Sequence, residues 1–304
     1  MITSDPRRTL MEARVGRLPA NWPAVLKGVI MVEPQNFRLN VESARDNHYM
    51  DLELTVDPDR ALEQYIALIE LIRDIGIPVK SFPGDAKSPD SLFPNNVFGT
   101  VPKRLIIGHM LHPSRQQEAG RKDIRGWFEG MGYETIDLSV EDCVAELTGP
   151  LIIDRSRRLG FCGMTERVNE AGLRAMHTAF DLVHTLYFNL APGEYHTNVV
   201  MSVLAGRACV LHAEAFADPE VPLALAGIYN DQVLYLDEAE KRAFAGNCIT
   251  LTQHDLFMSQ TGADALRPVN RALLEFWGFR LRTAELDEIE KAGGSLRCMV
   301  AEIF

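Results

Sequence analysis

A thiolate is the most nucleophilic group that a protein side chain can offer near neutral pH, and an imidazole is well suited to move its proton. The chain has five cysteines and eight histidines. Cys298 stands in Gly293-Gly-Ser-Leu-Arg-Cys298-Met-Val, where two glycines let backbone come close to a ligand and Arg297 is placed to favour a thiolate. His196 stands in Glu194-Tyr-His196-Thr-Asn198, just ahead of an apolar run. The two lie far apart in sequence, yet a nucleophile and its proton carrier need only meet in space. On residue type alone, a buried structural cysteine and a loop histidine with one backbone bond are the simpler accounts. Other polar groups cluster in Ser88-Pro-Asp90-Ser-Leu-Phe-Pro-Asn95-Asn96, a segment whose residue types also favour an ordinary turn. Glu146 precedes an apolar run, Arg167 and Asn169 precede a helical stretch, and Arg115 lies at the start of another.

The remaining composition narrows the chemistry. A formal net charge of −11 argues against nucleic acid or an anionic membrane surface as partner. No apolar run is long enough to span a bilayer and the first residues lack a secretory pattern, so the expected location is the cytosol. The cysteines are odd in number, widely spaced and without a C-x-x-C pair, which fits neither a disulfide framework nor a zinc site. His109 and His112 lie three apart without suitable neighbours, so no metal is expected. No G-x-G-x-x-G after a strand and no P-loop supports a nucleotide.

Positioning such residues requires elements, and periodicity supplies them. Residues 58–75 read as an amphipathic helix with Asp57 as N-cap and Pro58 in the first turn. Further helices are expected at 115–131, 168–180, 219–228 and 268–277. Strands are expected at 28–32, 78–82, 105–107, 151–153, 159–162, 199–203, 208–211, 233–236, 248–251 and 296–304. The order strand–strand–helix–strand recurs. Residues 1–25 read as an irregular surface segment, and 26–304 as one α/β domain. Sequence periodicity by itself leaves an ordinary parallel sheet open.

Phe93-Pro-Asn-Asn96, His196-Thr-Asn198 and Gly293-Gly-Ser-Leu-Arg-Cys298-Met together resemble the guanidino-group-modifying superfamily of arginine deiminases, dimethylarginine hydrolases and amidinotransferases. Pro89-Asp90-Ser-Leu-Phe93 is similar to the Pro-Asp-Ser-Val-Phe of dimethylarginine hydrolases. The nearest branch by resemblance is the arginine-deiminase-related proteins that include citrulline ureidases. The resemblance runs from Met31 to the C-terminus. It implies a five-bladed α/β propeller, or pentein, with pseudo-fivefold repeats and no cofactor. It also implies a small amino-acid substrate and allows a homodimer.

By that resemblance Cys298 corresponds to the nucleophile, His196 to the acid–base residue and Glu146 to a glutamate of the catalytic set that binds substrate nitrogens. Arg167 corresponds to an arginine that grips a substrate α-carboxylate, and Arg115 falls in an arginine-rich stretch. Asn96 and Asn198 replace the two aspartates with which arginine deiminases bracket a cation, leaving Glu146 and Asp90 as carboxylates. An amide donates as well as accepts, so the expected substrate is a ureido amino acid, citrulline, cleaved to ornithine, ammonia and carbon dioxide. The alternatives are arginine deiminase, dihydrolase or dimethylarginine hydrolase activity, amidinotransfer, and an inactive amino-acid-binding pentein. Residues 35–50 are a candidate cover for the pocket.

Overall fold

The computed structural model describes residues 1–304. Five small sheets share one plan. In each, two strands pair antiparallel, joined by a short turn in four of the sheets, and a third returns parallel to the second. Parallel return requires a crossover, and helices provide it. Phe98–Val101 and Arg104–Ile107 form a hairpin at whose turn Lys103 has φ 64°; Glu134–Asp137 is the third strand, reached through helices Pro113–Ala119 and Lys122–Gly130. The same plan joins Leu151–Asp154, Leu159–Met164 and His184–Asn189 across the helix Glu170–Ala179. It joins Met201–Leu204, Ala208–Leu211 and Val233–Tyr235 across Glu220–Ile228. It joins Ile249–Thr250, Asp255–Ser259 and Arg280–Ala284 across two helices within 260–276. The fifth sheet is completed by both ends of the chain: Ala301–Ile303 pairs antiparallel with Gly28–Val32, which pairs parallel with Val79–Phe82 beyond the helix Pro58–Asp74.

First strands of different sheets lie beside one another: Ala301–Ile303 by Phe98–Val101, and Met201–Leu204 by both Leu151–Asp154 and Ile249–Thr250. Side-chain bonds to backbone carbonyls tie them together. Ser202 Oγ donates to the carbonyls of Gly246 and Cys248, and Thr100 Oγ1 to that of Glu302. The apolar interior divides into five clusters, the largest of 24 and 22 buried residues, as expected when each sheet packs its own helix.

Several expected elements take another form. The first segment is ordered: Ile2–Thr3 pairs parallel with His184–Asn189, and Pro6–Arg14 is a helix against Glu220–Ile228. Asp5 caps that helix by accepting from Arg8 N, and Pro6 opens it, a start signal within a polar stretch. The helix expected over 115–131 breaks at Gly120. The expected strand 296–304 begins with a short helix, Leu296–Met299, so Cys298 sits on a helical turn and the strand starts at Ala301. Val199 and Val200 likewise end the short helix Thr197–Val200. Apolar runs this short fit either state, and here each lies fully buried in a turn that leads to a strand. No helix is long and apolar enough to cross a membrane.

Gly172 holds one of these units in place. It lies in the first turn of Glu170–Ala179, where Asn169 caps it through Oδ1, and a Cβ there would stand 1.8 Å from the Val144 carbonyl oxygen. Gly172→Ala is expected to lower stability by about 1–3 kcal/mol in urea unfolding, because backbone overlap outweighs the ~1 kcal/mol gain in helix propensity. A gain in stability would show that the helix is free to move away from the 144–146 strip.

Candidate active site

Each sheet contributes polar residues from the few positions just before its first strand. Asn95 and Asn96 precede Phe98–Val101, Glu146 to Gly149 precede Leu151–Asp154, and His196 to Asn198 precede Met201–Leu204. Asn247 precedes Ile249–Thr250, and Cys298 precedes Ala301–Ile303. Hydrogen bonds and one cleft join them. Ser43, Asn47, Asp90, Asn96, His196 and Cys298 are among the lining residues, around about 300 Å3 of space that is partly open to solvent.

Glu146 is at zero exposure. It accepts from Arg167 at 3.1 and 3.2 Å, from Leu111 N at 3.1 Å, and meets His196 Nε2 at 2.9 Å. Burial alone would raise its pKa, but the Arg167 charge, then the His196 bond and charge, and Arg115 outweigh that and hold it well below the usual carboxylate range. An ionised carboxylate only accepts, so Nε2 of His196 is the protonated nitrogen. Burial pushes the imidazole pKa down, against the pull of Glu146. The neutral ring therefore keeps its lone pair on Nδ1, which is buried and has no partner. Gly149 makes room for this pair of residues: a Cβ there would lie 2.7 Å from the imidazole and 2.5 Å from Asn96 Nδ2.

All five cysteines are free and buried. Cys162 and Cys248 are pushed up to about 12 by burial, as inert core thiols should be. Cys298 is also raised by burial, but amide donors oppose it: Asn247 Nδ2 lies 3.3 Å and Asn198 Nδ2 3.5 Å from Sγ. Asn198 Nδ2 also donates to Thr148 O, and Asn247 Nδ2 to Asn198 O. The Asn247 Oδ1 accepts from Arg297 N, one residue before the thiol. The Arg297 charge also lowers the Cys298 pKa, as expected, though without a bond to the sulfur. Its guanidinium runs the other way, to Val300 O and the Glu302 carboxylate, because Glu302 needs Arg155 and Arg297 to offset its own burial.

The arrangement unites Cys298, His196, Glu146, Asn96, Asn198 and Asp90, and it revises two arginines. Arg167 was expected to hold a substrate carboxylate, but its fork is taken. Nε and one terminal nitrogen grip Asp46, and the other grips Glu146. Arg115 is equally engaged, with Glu118 at 3.0 and 3.1 Å, Asn96 Oδ1 at 3.1 Å and the carbonyls of Asp90 and Phe93. A fully desolvated guanidinium requires such partners. Three polar atoms of cleft-lining residues remain free: Asp90 Oδ1, Asn96 Nδ2 and His196 Nδ1. The 35–50 segment lies over the site, with Asn40 and Ser43 bound to Asp90 Oδ2 and Asn47 to Gly293 O.

Two residues, Asn247 and Asp46, escaped the sequence reading. Asn247 carries no motif, although Asn96, Glu146, Asn198, Asn247 and Cys298 recur roughly every 50 residues, a period that points to it. Asp46 sits in a polar loop with nothing in its spacing to name Arg167 as partner. No group of three or more His, Cys, Asp or Glu side chains is placed to hold a metal ion.

A family model described as N,N dimethylarginine dimethylhydrolase, eukaryotic, matches residues 33–304. The chain is 24% identical over 283 residues to the uncharacterized protein ZK1307.1 of Caenorhabditis elegans, covering 92% of this chain and 95% of that one. It is 24% identical over 274 residues to the bifunctional arginine dihydrolase/ornithine cyclodeaminase AgrE of Nostoc sp., covering 84% of this chain and 37% of that protein. Among solved structures it resembles the substrate-bound N-terminal domain of ArgZ, a cyanobacterial arginine dihydrolase. That likeness has a TM-score of 0.78 and 21% identity, and covers 90% of this chain and 97% of that one. It also resembles a dimethylarginine dimethylaminohydrolase, with a TM-score of 0.70 and 19% identity, over 92% and 100% of the two chains. The chain belongs to the dimethylarginine hydrolase family, within the guanidino-group-modifying superfamily, and has its mixed α/β fold.

Two measurements probe the geometry. Hydrogen bonds from His112 and Arg167 outweigh the burial of Asp46 and bring its pKa from 3.8 down to about 2. A pKa lowered on folding adds stability that is complete above pH ~4 and is lost as pH falls toward 2. The stability difference between wild type and Asp46→Asn, read from urea midpoints, should therefore shrink between those limits; a constant difference would overturn the pairing. Removing an amide donor disfavours the thiolate, so Asn247→Ala should move the pH profile of Cys298 alkylation upward. An unchanged profile would exclude Asn247 from tuning the sulfur.

Proposed function

We propose that this member of the dimethylarginine hydrolase family is a cysteine-dependent hydrolase that cleaves a C–N bond of a small guanidino compound. The observation that carries the reading is Cys298 Sγ, held by the amides of Asn198 and Asn247, in one cleft with an unpartnered His196 Nδ1 and the unpartnered Asp90 Oδ1. A guanidinium is a donor on every nitrogen and carries a charge that a buried carboxylate offsets. Asp90 Oδ1 is such an acceptor. This favours a cationic guanidino group over the neutral citrulline expected from Asn96 and Asn198.

The cation would also assist the chemistry. Its charge beside the sulfur lowers the thiol pKa that burial raises. His196 Nδ1 takes the thiol proton as the thiolate adds to the central carbon, and the C–N bond to the departing amine then breaks as that nitrogen gains the same proton from Nδ1. The product of this half is an S-linked thiouronium. His196, again neutral, takes a proton from water as the oxygen attacks the same carbon. The C–S bond then breaks as the sulfur regains that proton from Nδ1, and the remaining hydroxyl proton passes to solvent to leave a neutral ureido compound. Glu146 keeps the ring in one tautomer and offsets the imidazolium. In the same reading the five sheets are the blades of a propeller whose first strands surround the axis, so that each blade delivers its pre-strand residues to one end.

Asn96 favours a second reading. Arg115 can only donate, so the amide oxygen must face Arg115 and the free Nδ2 must face the cleft. A free N–H donor suits a carbonyl oxygen, as in a ureido group. A ureido compound, including the product of the first hydrolysis, is thus a second substrate.

Cys298→Ser should abolish ammonia release from guanidino compounds, a loss on the order of a millionfold, as for other removed nucleophiles. A cationic haloacetamidine should label wild-type Cys298 at least tenfold faster than neutral iodoacetamide at pH 7. Equal labelling rates, or turnover of citrulline with no guanidino compound accepted, would refute the cationic reading.

A further inference from the structure

A guanidino substrate can carry a carboxylate on its tail or lack one, and the saturated arginines decide between these. Arg167 gives Nε and one terminal nitrogen to the two oxygens of Asp46, and its other terminal nitrogen to both oxygens of Glu146. Asp46 is held again by His112 Nε2 at 2.9 Å. Arg115 gives Nε and one terminal nitrogen to the two oxygens of Glu118. No lysine and no third arginine lines the cleft; Arg45, next to Asp46, is exposed and outside the lining. A ligand carboxylate would have to displace Asp46 and leave that anion beside its own, at a cost that like charges in a buried setting make large.

The charge around the cleft agrees. Asp46, Asp90, Glu118 and Glu146 face Arg115 and Arg167, an excess of two negative charges when all are ionised. Burial raises Glu118 to about 7, against Arg115, so the excess lies between one and two near neutrality. Asp90 is 3% exposed, faces the cleft and leaves Oδ1 without a partner.

Resting on the guanidino-hydrolase reading, we infer that the substrate is a guanidinoalkylamine without a carboxylate, and that Asp46 fixes this choice by occupying the Arg167 fork. A compound with a guanidinium at one end and an ammonium at the other balances the excess charge, whereas an amino acid brings an anion for which no fork is open. The segment 43–47 that carries Asp46 also supplies Ser43 to Asp90 and Asn47 to Gly293, so the selecting residue lies between two residues of the cleft wall.

The experiment compares 4-guanidinobutylamine with arginine, its carboxylated counterpart, on wild-type protein and on Asp46→Asn, by kcat/KM from ammonia release. Wild type should prefer the amine at least tenfold. Asp46→Asn, which removes the resident charge from the fork, should narrow that ratio at least tenfold by lowering KM for arginine. A uniformly damaged fold would reduce both substrates alike and leave the ratio unchanged, which counts against Asp46 as selector. Wild-type preference for arginine, or labelling of Cys298 by haloacetamidine without turnover of the amine, overturns the inference and leaves the hydrolase reading standing. No turnover of either compound together with no labelling overturns both. If Asp46→Asn does not fold, the wild-type ratio alone decides the substrate class.

Discussion

A carboxylate withdrawn completely from water must be met by donors from several directions, and Glu146 imposes that demand on the rest of the molecule. Its oxygens take two bonds from Arg167, one from the Leu111 amide and one from His196. These donors come from separate sheets and connections, so the ion cannot be satisfied until the sheets are assembled. A buried ion pair contributes little net stability against an apolar replacement, but losing one partner is severe. The arrangement therefore specifies geometry more than it adds stability. It sets which nitrogen of His196 carries a proton, and from that follows what the ring can do in the cleft.

The sulfur is treated differently from the carboxylate. No cation is aimed at Cys298: Arg297 turns to Glu302, and Arg115 and Arg167 are neutralised by their own partners. What surrounds Sγ is a pair of amides. Amides stabilise a thiolate without fixing it permanently, so the resting thiol stays protonated in its buried site. In the proposed reaction the thiol becomes reactive only when a cation arrives, which would protect it from chance electrophiles, and its 2% exposure adds a steric barrier.

Much of this was legible in the residues. Cys298, His196, Asn96 and Asn198 stand in short segments dense with glycine, proline or asparagine, and their positions ahead of apolar runs place them at strand mouths. The recurring strand–strand–helix–strand order was legible from periodicity, and the number of units only through the family resemblance. Pairing was not. Nothing in the neighbourhood of Arg167 names Asp46, 121 positions away, as its partner, and so an arginine already neutralised looked like one free to bind. Burial hid other features: Leu296–Met299 and Thr197–Val200 are apolar in either secondary structure, and only packing assigns them to a helical turn. Asn247 lacked a motif because its role is to bridge Asn198, Arg297 and Cys298, each from a different part of the chain in sequence.

Arg115 shows how a residue that touches no ligand can still shape what is bound. An asparagine alone presents an ambiguous face, since its amide can rotate to offer either oxygen or nitrogen. Arg115 has no acceptor, so its bond to Asn96 Oδ1 removes that freedom and turns Nδ2 toward the cleft. Glu118 in turn keeps Arg115 in place through a paired, two-bond contact. The cleft thus presents one fixed donor, Asn96 Nδ2, and one fixed acceptor, Asp90 Oδ1. Such a pair of opposite character can hold a carbon that bears nitrogen on one side and oxygen on the other, which is what a guanidino carbon becomes once water has replaced an amine.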